Sequence, residues 1–276
     1  MKLIVIGNPI QHSVSPKIHN YWLKKLKIGA VYEKKKVTAL ELRDIVSQIR
    51  TGSLKGANIT LPFKETIIKH VDTCENVVNA SGAANTLFLR ENHVVATNTD
   101  GEGFVNSLEK DCNFKVKGKI IFIIGTGGAA RGIILSLIKK GVREIILTNR
   151  NRKRLIKIKQ QFIRGSNKIF KTQEWNEKVI PTSVDLLVNC TSVGMKQGEG
   201  LDINLTKMKK NSIIYDIVYS KKPTQLVKEA KNLGLVTQRG HAMLVRQAAE
   251  SFKIWFNEYP SEKEIVKLIR DFGKTT

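Results

Sequence analysis

With 276 residues, 41% of them hydrophobic, the chain has room for about two domains with real cores, which excludes an extended disordered polymer. The formal charge of +23 raises a polyanionic partner, but the excess Lys is scattered, with no zinc-ligand spacing and no aromatic-rich basic stripe, so an AT-rich coding bias accounts for it better than nucleic-acid binding. Cys74, Cys112 and Cys190 are too few and too far apart for a disulfide framework or metal knuckle, and no apolar run approaches bilayer-spanning length, so a soluble, cytoplasmic protein is expected.

Residues 3–6 read as a short buried strand that opens into GNPIQHSVSPKIHN. In an extended segment Ser13 and Ser15, two apart, share a face and can present both hydroxyls to one ligand. Ser15 as N-cap with Pro16 at N1 is also an ordinary helix opening, and a helix start favours a bound carboxylate. His12 and His19 read as structural or solvent-facing. Residues 31–37 form a second strand, and 40–49 a helix with Leu42, Ile45, Val46 and Ile49 on one face. GANITLPFKE gives a third strand ending at Thr60, then a turn at Pro62. This alternation predicts a parallel sheet whose carboxyl-end crevice binds the ligand. Asn58, Thr60 and Lys64 fall at or just beyond that end, although a lone Lys after a strand is more often surface decoration.

GAANT at 82–86 and TNTDGEG at 97–103 set polar residues inside strand-like sequence. Asn and Asp there are commonly turn formers, and Asp100-Gly101 is a turn signal; two Asn-Thr pairs in successive loops also suit one shared pocket. Residues 104–108 start a helix that crosses into the next region.

The apolar run 120–124 suits a buried parallel strand, and Gly125, Gly127 and Ala130 occupy the special positions of G-x-G-x-x-G/A. A helix over 129–140 then points its first N–H groups at a pyrophosphate. Gly141 stops that helix, and 144–148 is the next strand, ending where a dinucleotide ribose would lie. An acidic residue there would favour NAD. Here Asn149 and Arg150 are followed by Arg152, Lys153 and Arg154, chemistry for a 2′-phosphate and hence NADP(H); the plainer readings of 150–159 are a solvated basic face or a nucleic-acid patch. Residues 185–189 and 212–218 are further strands. Cys190 reads as packing, since no partner base is indicated. Residues 242–256 form an amphipathic helix, and Ser261 with Glu264 has capping-box spacing; this C-terminal pair is expected to return to the first domain.

In this order, GNPIQHSVSPKIHN, NITLPFK, GAANT, NTDGEG, GTGGAAR, Asn149 with Arg150, NCTSVGM, DIVYS and MLVRQAAESF together resemble the shikimate dehydrogenase family over nearly the whole chain. The resemblance implies a two-domain α/β fold. An N-terminal α/β substrate domain with a mostly parallel sheet (1–101) is completed by C-terminal helices (240–276), and a Rossmann NADP-binding domain (102–239) is inserted between. It implies reversible NADP-linked interconversion of 3-dehydroshikimate and shikimate, on the route to chorismate and the aromatic amino acids.

Carried across, Ser13, Ser15 and Tyr219 match the groups that hold the substrate carboxylate, while Thr60, Asn85 and Gln247 match those that bind ring hydroxyls. Lys64 and Asp100 match the catalytic pair, Asp100 also touching substrate. Gly125, Thr126, Gly127, Gly128, Ala129, Asn149, Arg150, Arg154, Ile217 and Gly240 match cofactor contacts, with no metal. The partner implied is the small-molecule substrate, without nucleic acid or membrane, and a homodimer is left open. The chain departs from the family pattern at Lys221, where Pro is usual soon after the Tyr, at Asn76, often acidic, at Asn151, commonly Thr, and at His241. Two other readings stand beside this one: a quinate/shikimate enzyme using NAD, and a non-catalytic NADPH-binding regulatory module.

Overall fold

A computed structural model describes residues 1–163, 169–196 and 198–274. The chain runs through β1 (Lys2–Gly7), α1 (Ser15–Lys25), β2 (Val31–Lys36), α2 (Leu42–Arg50), β3 (Gly56–Ile59), β4 (Thr73–Cys74), α3 (Asn76–Ser81), β5 (Thr86–Arg90) and β6 (His93–Thr97). These six strands make one sheet in the order β2-β1-β3-β5-β6-β4. β1 is parallel to both β2 and β3, as the alternation of strands and helices requires. β5 is antiparallel to β3 and β6, which the sequence did not announce: Glu91 and Asn92 take φ of +50 and +62, a two-residue hairpin turn made without glycine.

Successive residues of β1 face opposite sides of the sheet. Ile4 and Ile6 pack with Leu42, Ile45, Val46 and Ile49 of α2. Leu3 and Val5 pack on the other side with Ile18 and Trp22 of α1. That second layer is completed by α8 (His241–Phe256) and α9 (Glu262–Gly273), through Val245, Phe252, Trp255, Ile265 and Leu268. At about 1.5–3 kcal/mol for each fully buried large apolar side chain, this layer is what draws the C-terminus back to the first sheet. Ser261 accepts from the Glu264 backbone in a complete capping box at the start of α9.

Between these parts lie α4 (Asp100–Asp111), β7 (Ile120–Ile124), α5 (Gly128–Lys139), β8 (Glu144–Thr148), α6 (Arg152–Ile163), β9 (Phe170–Thr172), β10 (Leu186–Asn189), β11 (Ile213–Asp216), α7 (Gln225–Asn232) and β12 (Val236–Arg239). Their sheet has the order β12-β11-β10-β7-β8-β9 with every pairing parallel. Counted from β7 this is the doubly wound order 3-2-1-4-5-6 read from the other edge, whose crevice opens where the order reverses, between β7 and β10.

Some local expectations fail. Asp100-Gly101 is not a turn but the first residues of α4. Asp100 and Glu102 suit the positive end of the helix, and the glycines serve close packing. A Cβ on Gly101 would collide with the Gly132 carbonyl, and one on Gly103 would stand 2.5 Å from the Gln247 nitrogen. Ser15 is not an N-cap either: it begins α1, Val14 occupies the cap position at φ −97, ψ 0, and no side chain caps this end. Among the described residues no helix is long and apolar enough to cross a membrane.

Candidate active site

The turn after β3 carries Lys64 toward the start of α4. Lys64 Nζ lies 2.5 Å from Asp100 Oδ2, with the side chains 13% and 5% exposed. Asp100 Oδ1 accepts from Asn85 Nδ2 at 2.9 Å, and the Asp100 backbone N–H donates to Asn98 Oδ1 at 3.0 Å. Both carboxylate oxygens are thus engaged, and the carboxylate has no freedom to turn away from the amine.

Asn85 is itself held. Its Oδ1 accepts from the Thr99 N–H at 2.8 Å and from the Thr86 hydroxyl at 2.9 Å, and its Nδ2 reaches Gln247 Oε1 at 3.3 Å. The two Asn-Thr pairs therefore belong to one hydrogen-bonded cluster. Behind them Ser251 on α8 lies 2.8 Å from Thr86 Oγ1 and 3.2 Å from Thr99 Oγ1. Asn58 Nδ2 donates to that same Ser251 at 3.1 Å, and Asn58 Oδ1 accepts from the Tyr32 hydroxyl at 2.6 Å. This buried relay fixes Asn85 and Gln247 from behind and satisfies groups that would be costly to bury alone. Thr86, Thr99, Ser251 and Tyr32 were not singled out from sequence; recurrence of Asn-Thr was the available signal for the two threonines, and nothing local marks the others.

Thr60 and the Ser13 loop both follow the carboxyl end of the sheet, because β1 and β3 are parallel neighbours; a Cβ on Gly7 would lie 2.5 Å from Thr60 Cγ2. The Ser13 region is not extended as expected: Ser13 Oγ accepts weakly from the Ser15 N–H at 3.4 Å, in a turn leading into α1. Neither serine bonds to the Lys64 cluster. Tyr219 follows β11, and burial raises its phenol above the usual range. The Tyr32 phenol is raised by burial first and then by Tyr219.

The glycine turn between β7 and α5 fits a dinucleotide. Gly125 has φ +95, and a Cβ there would meet Thr191 at 2.7 Å, whereas nothing lies within 4 Å of a Cβ on Gly127. Gly127 caps α5 with no side-chain partner for the first N–H groups, leaving them to an anion. Asn149, at the end of β8, donates to the Thr126 hydroxyl. Asn151 accepts from the Arg154 N–H at 3.1 Å and so caps α6 in place of the usual Thr. Arg152 pairs with Glu174 at 3.5 Å; among the described residues Arg150 and Arg154 have no carboxylate partner, which leaves both guanidiniums for a phosphate. Gly240 abuts the backbone of Ile217 and Val218, where a Cβ would not fit.

The two halves meet at Lys64. A Cβ on Gly128 would stand 2.8 Å from Lys64 Cβ, so the stem of the lysine rests on the start of the glycine-loop helix. Burial, with Asp216 and Asp100 nearby, pushes the Cys190 thiol well up, consistent with packing rather than nucleophilic chemistry. Among the described residues no group of three or more His, Cys, Asp or Glu is placed to hold a metal.

Known proteins resemble this chain in sequence and fold. Residues 5–87 match the shikimate dehydrogenase substrate binding domain, 107–233 the shikimate / quinate 5-dehydrogenase model and 240–270 the shikimate 5′-dehydrogenase C-terminal domain. A shikimate dehydrogenase (NADP(+)) from Pelagibacter ubique is 39% identical over 267 residues, which is 96% of this chain and 97% of that protein. The crystal structure of shikimate 5-dehydrogenase from Thermus thermophilus in complex with NADP(H) and shikimate has a TM-score of 0.86 at 27% identity, covering 99% of each chain. A ligand-free 5-ketofructose reductase from Gluconobacter scores 0.88 at 26% identity over 98% of each chain, so the fold by itself does not name a substrate. With family models matching on both sheets and a relative aligned nearly end to end, the chain belongs to the shikimate dehydrogenase family.

Proposed function

We propose that the protein catalyses the reversible NADP(H)-dependent reduction of 3-dehydroshikimate to shikimate, a step toward chorismate and the aromatic amino acids, with Lys64 and Asp100 as its proton-handling pair. The observation that carries this reading is the seat of Lys64: its amine is on Asp100 and its stem is on Gly128, so acid–base and dinucleotide elements converge on one side chain.

Bound NADP(H) would supply the two-electron exchange at the reacting carbon, held by the α5 N-terminus, Gly125, Thr126, Gly127, Gly128, Ala129, Asn149, Arg150 and Arg154, with Ile217 and Gly240 beside the nicotinamide. Lys64 Nζ donates a proton to the carbonyl oxygen during reduction and accepts the hydroxyl proton during oxidation. Asp100 orients the amine and accepts from the substrate hydroxyl, which keeps the reacting carbon in line. Asn85, Thr60 and Gln247 bind the remaining ring hydroxyls, and Ser13, Ser15 and Tyr219 hold the carboxylate. In this reading residues 1–101 and 240–276 form the substrate domain and 102–239 the cofactor domain, and no nucleic acid takes part.

The test is absorbance at the nicotinamide band with shikimate and NADP⁺, repeated with quinate and with NAD⁺. The reading holds if kcat/KM is highest for the shikimate and NADP⁺ pair. The absence of an acidic residue at the end of β8 supports NADP⁺ over NAD⁺.

A further inference from the structure

Arg131 sits one turn inside α5, its N–H donating to Gly127 O at 3.2 Å, and it is only 5% exposed. Its side chain reaches the other sheet's loops. Nη2 stands 3.3 Å from Glu65 Oε2, and Nη1 donates to the Ser81 carbonyl at 3.4 Å and to Gln161 Oε1. Gln161 on α6 in turn donates to the Ala80 carbonyl at 2.8 Å. Ala80 and Ser81 close α3, which ends on the left-handed Gly82 at φ +66. The last carbonyls of a helix lack intrahelical donors and carry its negative end, so a guanidinium and an amide suit them. The Arg131 Nε finds no hydrogen-bond partner; its anchorage is through the two terminal nitrogens alone.

The placement of those partners is what matters. Glu65 follows Lys64 directly, and Ser81 precedes the GAANT segment whose Asn85 holds Asp100. The two segments are also tied to each other, because the Ala84 N–H donates to the Lys64 carbonyl at 2.8 Å. One residue further along α5, a Cβ on Gly132 would lie 2.9 Å from Asn98 Oδ1, the atom that receives the Asp100 N–H. A single guanidinium on the glycine-loop helix thus grips the neighbours of both the amine and the group that aims its carboxylate.

We propose that Arg131 is a positioning residue for the reaction, transmitting the placement of the glycine-loop helix to Lys64 and Asn85 and neutralising Glu65 so that Asp100 alone faces the amine. The inference rests on Lys64 being the acid–base group. Asp100 on α4 pairs with that amine, and Glu65, next to Lys64 in the chain, pairs with Arg131 on α5; Cys190 lies near Asp100 with its thiol kept neutral by burial.

The experiment is steady-state kinetics with shikimate and NADP⁺ across pH for the parent protein, Arg131→Gln, Glu65→Gln and the double variant. Arg131→Gln lowers kcat about tenfold through misalignment while KM for shikimate stays within about twofold. Freed from its partner, Glu65 favours the charged amine, so the midpoint of the kcat profile moves up by about half a pH unit. Glu65→Gln leaves Arg131 unpaired and moves the midpoint down, and the double variant returns it toward the parent. A purely structural role lowers thermal stability without these opposite shifts, and that result overturns the proposal. Should Arg131→Gln not fold, Glu65→Gln decides alone, since Glu65 is 44% exposed and tolerates the change; an unmoved midpoint there also overturns it. An inactive parent protein refutes the underlying assignment, whereas an active parent with unmoved variants refutes only this one.

Discussion

The Lys64 amine and the Asp100 carboxylate, 36 residues apart in the chain, meet at 2.5 Å, one delivered by the turn after β3 and the other by the first residue of α4. Removing the amine takes away the acid–base group and leaves the glycine turn intact. Lys64→Ala therefore loses roughly 10²–10⁴ in kcat while NADPH binding, followed by nucleotide fluorescence, persists. Near-normal turnover in that variant would remove Lys64 from the mechanism.

Arg150 and Arg154 follow Asn149 and have no carboxylate partners among the described residues. A charge-assisted contact to phosphate contributes about 1.5–3 kcal/mol, so Arg150→Ala raises KM for NADP⁺ about tenfold or more and leaves KM for NAD⁺ nearly unchanged. Equal losses with both nucleotides would show that Arg150 does not read the 2′-phosphate.

Gly103 faces the backbone of Gln247, with a built Cβ 2.5–2.7 Å from its N, Cα and Cβ atoms. Helix backbone cannot yield as a flexible side-chain tip can, so Gly103→Ala forces α4 and α8 apart. The expected result is a raised KM for shikimate together with a lower unfolding midpoint in urea, about 1–3 kcal/mol as for other overpacked contacts. Unchanged values of both would mean the interface has slack.

His19 is stacked on Tyr32 at 4.2 Å between ring centroids, with neither ring nitrogen hydrogen-bonded, and burial lowers it from 6.5 to about 3. His241 is lowered to about 4 by burial and then by Arg239. Both depressed values favour the neutral ring in the folded state. The unfolded chain therefore binds more protons below about pH 6.5, and stability present above that pH is lost as pH falls toward the folded values, by up to about 1.4 kcal/mol per unit for each ring. His19→Phe should flatten the decline in urea stability between pH 7 and pH 5. An unaltered slope would show that His19 does not carry it.

What the residues themselves made legible was mostly local, while the resemblance carried the long-range pairing of Lys64 with Asp100. The glycine turn could be found because Gly125 needs a positive φ and Gly127 leaves open space before a helix, both requirements of the residue itself. The capping box of α9 was equally plain. The β5–β6 hairpin was not, since Glu91 and Asn92 reach left-handed conformations without a glycine to mark them. Asp100-Gly101 reads as a turn in one dimension because glycine for close helix packing and glycine for a turn look alike there. His19 allowed two readings until α8 and β2 enclosed it. Arg131, Glu65 and Ser251 escaped notice because their meaning lies in partners far along the chain, as with the 152 residues separating Thr99 from Ser251.

The polypeptide leaves the first sheet through α4 and comes back to it in α8, and Gly103 against Gln247 sets those two passages side by side. A segment whose entry and exit are neighbours behaves as a cassette: its ends need not be moved to exchange its contents. Splicing in the intervening stretch from a relative with another nucleotide preference would change the currency of reducing power only where the graft keeps Gly128 against Lys64 and Arg131 against Glu65 and Ser81, so the two choices can evolve on separate clocks outside those few shared contacts.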